Sequence, residues 1–592
     1  MVGRTCLHEA GEQYWSVFSP VAGCSRRTSS TIRSSNTMAI HYATGARIAD
    51  SILQDHVVQR VWSRDITVWG AKPGSPDAKS IESRLGWLDV SRTVAPEIPR
   101  LIALGEALKG EGIRTIFLLG MGGSSLCAEV ISSVVGSRDD SPRLVVLDTT
   151  DERTLTDARA RATPAQSFFI VASKSGGTVE VASMERLFWT HMTASLGDAA
   201  GRHFVAITDP GTALQTLGES RRYRDIFLNP ADIGGRFSAL SLFGLVPAAL
   251  IGAPVKQLAD AGNAMAEGCR QENHSNSGLE LGAFIGAAVR DGRDKLTVAL
   301  SPRLFSLGLW IEQLIAESTG KHGTGALPVV DEPLAAPDQY GKDRAFVAIA
   351  TEVDEPDPQA LQALEAAGHP VLRLTTRVDG LGAEFFRWEF ATAIAGAVLG
   401  INPFDEPNVS EAKEKTKALL SAYAAQGRLT EPQPVARTSA VQVFSNRFTG
   451  ASPAAVVRNA IDSLGPGDYI AFLSYLPASD DVQSAIGEIR QALRSRTRRA
   501  STFGVGPRYL HSTGQYHKGG PNAALAFVIT ADDETATQIP ESGYSFAVLK
   551  RAQALGDVET LDAHDRRTVR IHVDSARTAP QTLERLFADA LK

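Results

Sequence analysis

Cysteine is scarce. The four present in 592 residues, Cys6, Cys24, Cys127 and Cys269, lie far apart with no CxxC pair, which argues against a disulfide framework and fits a reducing compartment. No HExxH or clustered Cys/His spacing occurs either, so no metal is expected. An excess of one charge is also missing. A net charge of -6 with 21% charged residues argues against a general nucleic-acid or membrane-surface binder, so an anionic ligand has to meet a local positive site. Long apolar runs are few. The longest uncharged one, "FSALSLFGLVPAALIGAPV" (237–255), is broken by Pro247 and small residues and is expected to be a buried core helix rather than a membrane span. The first 37 residues carry "CSRRTSSTIRSSNTM" without an apolar core, which excludes a secretory signal. A transit peptide shares that composition, but residues 1–40 are expected to be a disordered extension, or the product of a start codon upstream of Met38. The cytoplasm is the expected location.

What is present is the alternation of an α/β protein. "IRTIFLLG" (113–120), "RLVVLD" (143–148), "SFFIVAS" (167–173) and "HFVAIT" (203–208) are short apolar runs of the kind that form buried parallel strands, each followed by a loop and a helix-period segment. A second series comprises "LTVALS" (296–301), "AFVAIA" (345–350), "VLRLTT" (371–376), and later "DYIAFLSYL" (468–476) and "ALAFVIT" (524–530). "AAQGRLTEPQPVARTSA" (424–440) has the composition of a linker. The expected fold is α/β with two doubly wound parallel-sheet subdomains, 41–285 and 286–430. Residues 431–592 are expected to complete a second subdomain that is rearranged or extended at its C-terminus.

In such sheets ligands bind beyond the carboxyl ends of the strands. Two loops there are informative: "GMGGSS" (120–125) and "SKSGGTVE" (173–180) each follow a strand and open a helix. Gly122 and Gly123 would let backbone approach a ligand, while Ser124, Ser173, Lys174, Ser175 and Thr178 would complete a shell around a phosphate monoester. The same hydroxyls could equally be helix caps and turn residues. A dinucleotide site is the other reading of "GMGG", with Asp148 as the ribose-binding acid, but Ser125 stands where GxGxxG needs its third glycine.

These loops resemble the sugar-isomerase (SIS) fold, and further motifs narrow the likeness to the glucose-6-phosphate isomerase family. "GGRFSALSLFGL" (234–245), "QLIAESTGK" (313–321) and "GINPFDEPNVSEAK" (400–413) are similar to that family's GGRxS, glutamate and FDxxxVxxxK motifs. "YLHSTGQYHKGGPN" (509–522) resembles its histidine stretch, above all as found in bifunctional transaldolase/glucose-6-phosphate isomerase chains. The resemblance implies isomerisation of glucose 6-phosphate and fructose 6-phosphate through a cis-enediol(ate), without a cofactor. Glu317 would move the proton, Arg236 would stabilise the enediolate, and His511 with Lys413 would open the ring. Gln313 and Gln515 would contact the substrate. The residues themselves bear on this reading. Glu317 sits at the negative end of a helix, where a carboxylate costs a few tenths to about 1 kcal/mol; the dipole and burial would raise its pKa toward that of a useful base. Gln313 lies four residues before it and shares its face. Arg236 follows two glycines, and Ser238 is expected to cap the next helix. His517, two residues beyond Gln515, is a competing imidazole.

The chain departs from the family pattern in order, since Lys413 precedes His511. In typical family dimers the histidine comes from the neighbouring subunit, so the order leaves open which chain supplies it here. Gly177 and Val181 stand where hydroxyl residues are common, and the transaldolase half is missing. The expected partner is a phosphosugar, with no nucleic acid and no membrane; a homodimer and a functional link to transaldolase are further expectations. Three rivals remain: an isomerase that also accepts mannose 6-phosphate, a non-catalytic phosphosugar-binding module, and a dehydrogenase.

Overall fold

The computed structural model describes residues 42–138 and 140–592, so the extension expected over residues 1–40 lies outside the described residues. Its first sheet holds β1 (Thr115–Leu119), β2 (Arg143–Leu147), β3 (Ser167–Ala172), β4 (Phe204–Thr208) and β5 (Asp225–Leu228), all parallel, in the order β2-β1-β3-β4-β5. The four apolar runs read from the sequence are β1 to β4. They are apolar throughout because both faces are covered. Ile116, Leu118, Phe168 and Ile170 point into one core, and Phe117, Leu119, Phe169 and Val171 into another. In the second, Phe169 stacks on Phe117 at 5.1 Å and on Phe204 at 4.9 Å between ring centres; each such pair adds about 0.5–1.5 kcal/mol beyond its buried area.

A second parallel sheet holds β6 (Lys295–Leu300), β7 (Leu327–Val329), β8 (Arg344–Thr351) and β9 (Val371–Thr376) in the order β7-β6-β8-β9. The late runs "DYIAFLSYL" and "ALAFVIT" do not join it. They are β12 (Tyr469–Ser474) and β14 (Ala524–Ala531), which pair with each other from Tyr469↔Ala524 to Ser474↔Ile529. With β10 (Ala436–Arg437), β11 (Val441–Phe444), β13 (Ala500–Val505) and β15 (Arg567–Val573) they make a third sheet, ordered β10-β11-β15-β14-β12-β13. Its β10 and β11 run antiparallel to their neighbours.

The 237–255 run is a core helix over Leu242–Leu250, buried at every residue and containing Pro247. Ser241, not Ser238, caps it, accepting from the Phe243 amide. Ser238 Oγ instead donates to the Gly235 carbonyl at 2.6 Å. The segment read as a linker begins inside a helix, Val409–Gln426, which stops where Gly427 turns left-handed at φ 71°, as a glycine C-terminus allows. Among the described residues no helix is long and apolar enough to cross a membrane.

Candidate active site

In the first sheet the chain leaves β1 for β2 on one side and reaches β3 on the other. The crevice between two such strands is where doubly wound sheets bind ligands, and the loops after β1 and β3 are 120–125 and 173–178. Gly122, at φ 54°, marks where other segments enter. A Cβ there would lie 2.7 Å from the His511 carbonyl oxygen and 2.8 Å from Gln313 Nε2. A Cβ on Gly123 would collide with the Gly235 carbonyl. Both glycines therefore make room for protein as well as for a ligand.

The glutamate helix spans Leu307–Thr319, and its core stripe Leu307, Ile311, Leu314 and Ile315 is wholly buried. The opposite side presents Gln313 and Glu317, one turn apart. Gln313 Nε2 donates to Glu317 Oε2 at 3.3 Å and to the His511 carbonyl at 2.7 Å. Arg236 Nη1 is 3.7 Å from Glu317 Oε1 and 3.1 Å from Glu406 Oε2. The remaining guanidinium donors go to Ser318 Oγ (2.7 Å) and to the carbonyls of Pro403 (2.8 Å) and Asp405 (2.9 Å), which satisfies a side chain with almost no exposure. Burial raises the Glu317 carboxyl above its usual range. Arg236 opposes this, and the neighbouring charge of Glu406 reinforces it. Lys321, buried against the Asn402 carbonyl and Asp405, is pushed down to about 8, chiefly by burial.

His511 ends a short turn, Arg508–His511. Its Nε2 lies 3.1 Å from Glu180 Oε1, which also accepts from Gln553 Nε2 at 2.7 Å. Gln553 in turn accepts from Thr150 Oγ1 at 2.9 Å. Burial works to raise the Glu180 carboxyl, but the charge and hydrogen bond of His511 and the charge of Lys413 outweigh it and hold it low. An anionic Glu180 fixes the ring's orientation through Nε2. Glu180 lies within "SKSGGTVE" but has no part in the expectations drawn from the sequence. Its place at the start of the helix Val179–Leu196 was the available signal, since acids favour that end.

The expected residues do not all converge. Ser173 Oγ and Thr178 Oγ1 lie 2.9 Å apart, and neither Thr178 nor Ser125 makes a side-chain cap bond to its helix, which weakens the capping reading. Ser175 is exposed. Lys174 turns to Asp209 and the Ala231 carbonyl. Lys413 is exposed on its helix and reaches Glu180 through its charge. Gln515 is fully buried, its amide spent on the Gly320 carbonyl, Asn408 Oδ1 and the Asn408 amide, so it ties segments together rather than facing the crevice. His517 is buried against Tyr469 at 2.8 Å and pushed down to about 3, chiefly by burial; it is a core residue. Asp148, the acid of the dinucleotide reading, is held by Arg508 and Ser125.

The phosphoglucose isomerase family model matches residues 101–342. Among curated relatives, the glucose-6-phosphate isomerase of Exiguobacterium sibiricum is 27% identical over 390 residues, 57% of this chain and 86% of that protein. That of Heliobacterium modesticaldum is 28% identical over 389 residues, 57% of this chain and 87% of its own. A solved glucose-6-phosphate isomerase from Chlamydia trachomatis shares the fold with a TM-score of 0.53 at 18% identity, over 66% of this chain and 90% of that one. The matched residues include both crevice loops, Arg236 and the glutamate helix, and stop before Lys413 and His511. Over residues 101–342 the chain is therefore similar to the phosphoglucose isomerase family.

Proposed function

We propose that this protein interconverts glucose 6-phosphate and fructose 6-phosphate. The reading rests on one observation above all: Gln313 touches both the Glu317 carboxylate and the His511 backbone while Arg236 lies beside the same carboxylate. Three segments far apart in the chain thus meet around the Glu317 carboxylate, and the imidazole of the third is held by Glu180. The phosphate is bound by the loops of Gly122, Gly123, Ser124, Ser173, Ser175 and Thr178. His511, held by Glu180, gives a proton to the ring oxygen, and Lys413 supplies positive charge there. Glu317 then removes the C2 proton from the open-chain sugar. The electron pair left behind forms the C1–C2 double bond of a cis-enediolate, whose oxyanion Arg236 stabilises. A proton passes from the O2 hydroxyl to O1, the C2 carbonyl forms as the double-bond pair takes the Glu317 proton at C1, and the ketose leaves the carboxylate regenerated. A raised pKa suits Glu317 to this exchange, because a base near the working pH both accepts and returns a proton. The proposal includes a cytoplasmic enzyme, a homodimer, and a functional link to a transaldolase.

The test is fructose 6-phosphate conversion in a coupled assay by wild type and Glu317→Gln. The substitution keeps the side chain's size and removes its basicity, so turnover should fall by roughly 100-fold or more. Equal rates would remove Glu317 from this role. Mannose 6-phosphate in the same assay separates a dual-specificity isomerase, and tight binding without turnover in wild type would identify a binding module.

A further inference from the structure

We infer that Arg508 is a positioning residue that docks the His511 turn onto the phosphate-binding unit. The inference rests on the isomerase reading for its kinetic consequence, but its geometry stands apart from it. Arg508 opens the turn that His511 closes. Its Nε lies 2.7 Å from Asp148 Oδ2, and Nη2 reaches Asp148 Oδ1 at 2.9 Å and Glu129 Oε2 at 3.0 Å. Asp148 ends the run of β2, and Glu129 belongs to the helix Leu126–Val134 that follows the first crevice loop. The same Asp148 carboxylate accepts from Ser125 Oγ at 3.2 Å, and Ser125 belongs to that loop. One carboxylate thus fixes both the glycine loop and the turn bearing the imidazole.

The turn's other hold is on the third sheet's side. Tyr509 OH donates to Asp557 Oδ2 at 2.6 Å and lies 3.0 Å from the Tyr475 hydroxyl, which is placed to donate to it. Tyr509 therefore fixes the turn to its own unit, and Arg508 fixes it to the unit with the phosphate loops. The paired fork geometry suits this, because two parallel N–H···O bonds set direction as well as distance. Losing it leaves the His511–Glu180 contact dependent on the carbonyl bond from Gln313. Small displacements of a proton-transfer group cost heavily in rate. Arg508 also lines a cavity of about 550 Å³ with Leu144, Val146, Ser479, Val505 and Pro580, large enough to admit a small guanidinium.

The experiment compares wild type with Arg508→Ala and, as a same-size control that removes only the partner charge, Asp148→Asn. Arg508→Ala is expected to lower kcat on glucose 6-phosphate by about 100-fold with KM within about twofold of wild type. Added ethylguanidinium should recover part of kcat, and a crystal structure should show His511 drawn away from Glu180. Asp148→Asn should lower kcat in the same sense by less. The assignment is overturned by a kcat within about twofold of wild type, a loss confined to KM, turnover unmoved by the guanidinium, or His511 still seated on Glu180 in the variant crystal. Failure of both variants to fold would make the ion pair structural and also overturn it. A wild-type protein without isomerase activity would refute the proposed function instead, and the position of His511 in the variant crystal would still test the clamp.

Discussion

Glu406 illustrates how one side chain tunes another. It shares the Arg236 guanidinium with Glu317, and its charge helps to raise the Glu317 carboxyl. A raised carboxyl loses its basic form as pH falls through the raised value, so the acid limb of kcat/KM should lie above the ordinary carboxylate range. Glu406→Gln removes a like charge and leaves more of Arg236 to Glu317. Both changes favour the ionised base, so the acid limb should move to lower pH; an unmoved or higher limb in the pH–rate profile would separate the two residues. Of these parts, Glu317, Arg236, Gln313 and His511 were readable because motif and spacing mark them. Glu406 lies within "FDEPNVSEAK" with no spacing that marks it apart from its neighbours. Its importance comes from packing against Arg236 across 170 residues, which no local pattern encodes. Gln515 and His517 show the converse: both sit in a motif, and burial gives them structural duties.

At the level of elements, the continuous apolar strands were legible because burial on both faces forces such composition. Short β5, β7 and β10 were not, having two to four residues and no room for a pattern. Nor does apolar character say which sheet a strand joins, which is why β12 and β14 were grouped with the second series. The contact between the loops 120–125 and 234–238 is a different kind of element interaction, made of backbone against backbone. Gly123→Ala would drive a methyl group into the Gly235 carbonyl, which cannot swing aside as a side chain would. The expected cost is about 1–3 kcal/mol of stability, measured by denaturant unfolding, with a rise in KM because the loop is displaced. A fully stable Ala variant would show that the loops give way.

For the molecule as a whole, the order of motifs left open which chain supplies the histidine. The structure brings His511, Glu180, Gln313 and Glu317 together within one chain. Mixing Glu317→Gln with His511→Ala chains should therefore restore no activity after co-refolding, because each inactive copy lacks a group its own fold must provide. Recovery in the mixture would mean that subunits exchange the histidine-bearing unit.

The threading of the chain also bears on its synthesis. The proposed base Glu317 and both glycine loops are complete by residue 320, yet the imidazole waits for position 511, and the amide that steadies its acidic partner waits for 553. A ribosome-bound polypeptide therefore carries the proposed sugar crevice from residue 320 to residue 511 before the proposed ring-opening imidazole is made. Only when residues 508–553 have emerged and folded back does the newborn molecule hold every part of the proposed site.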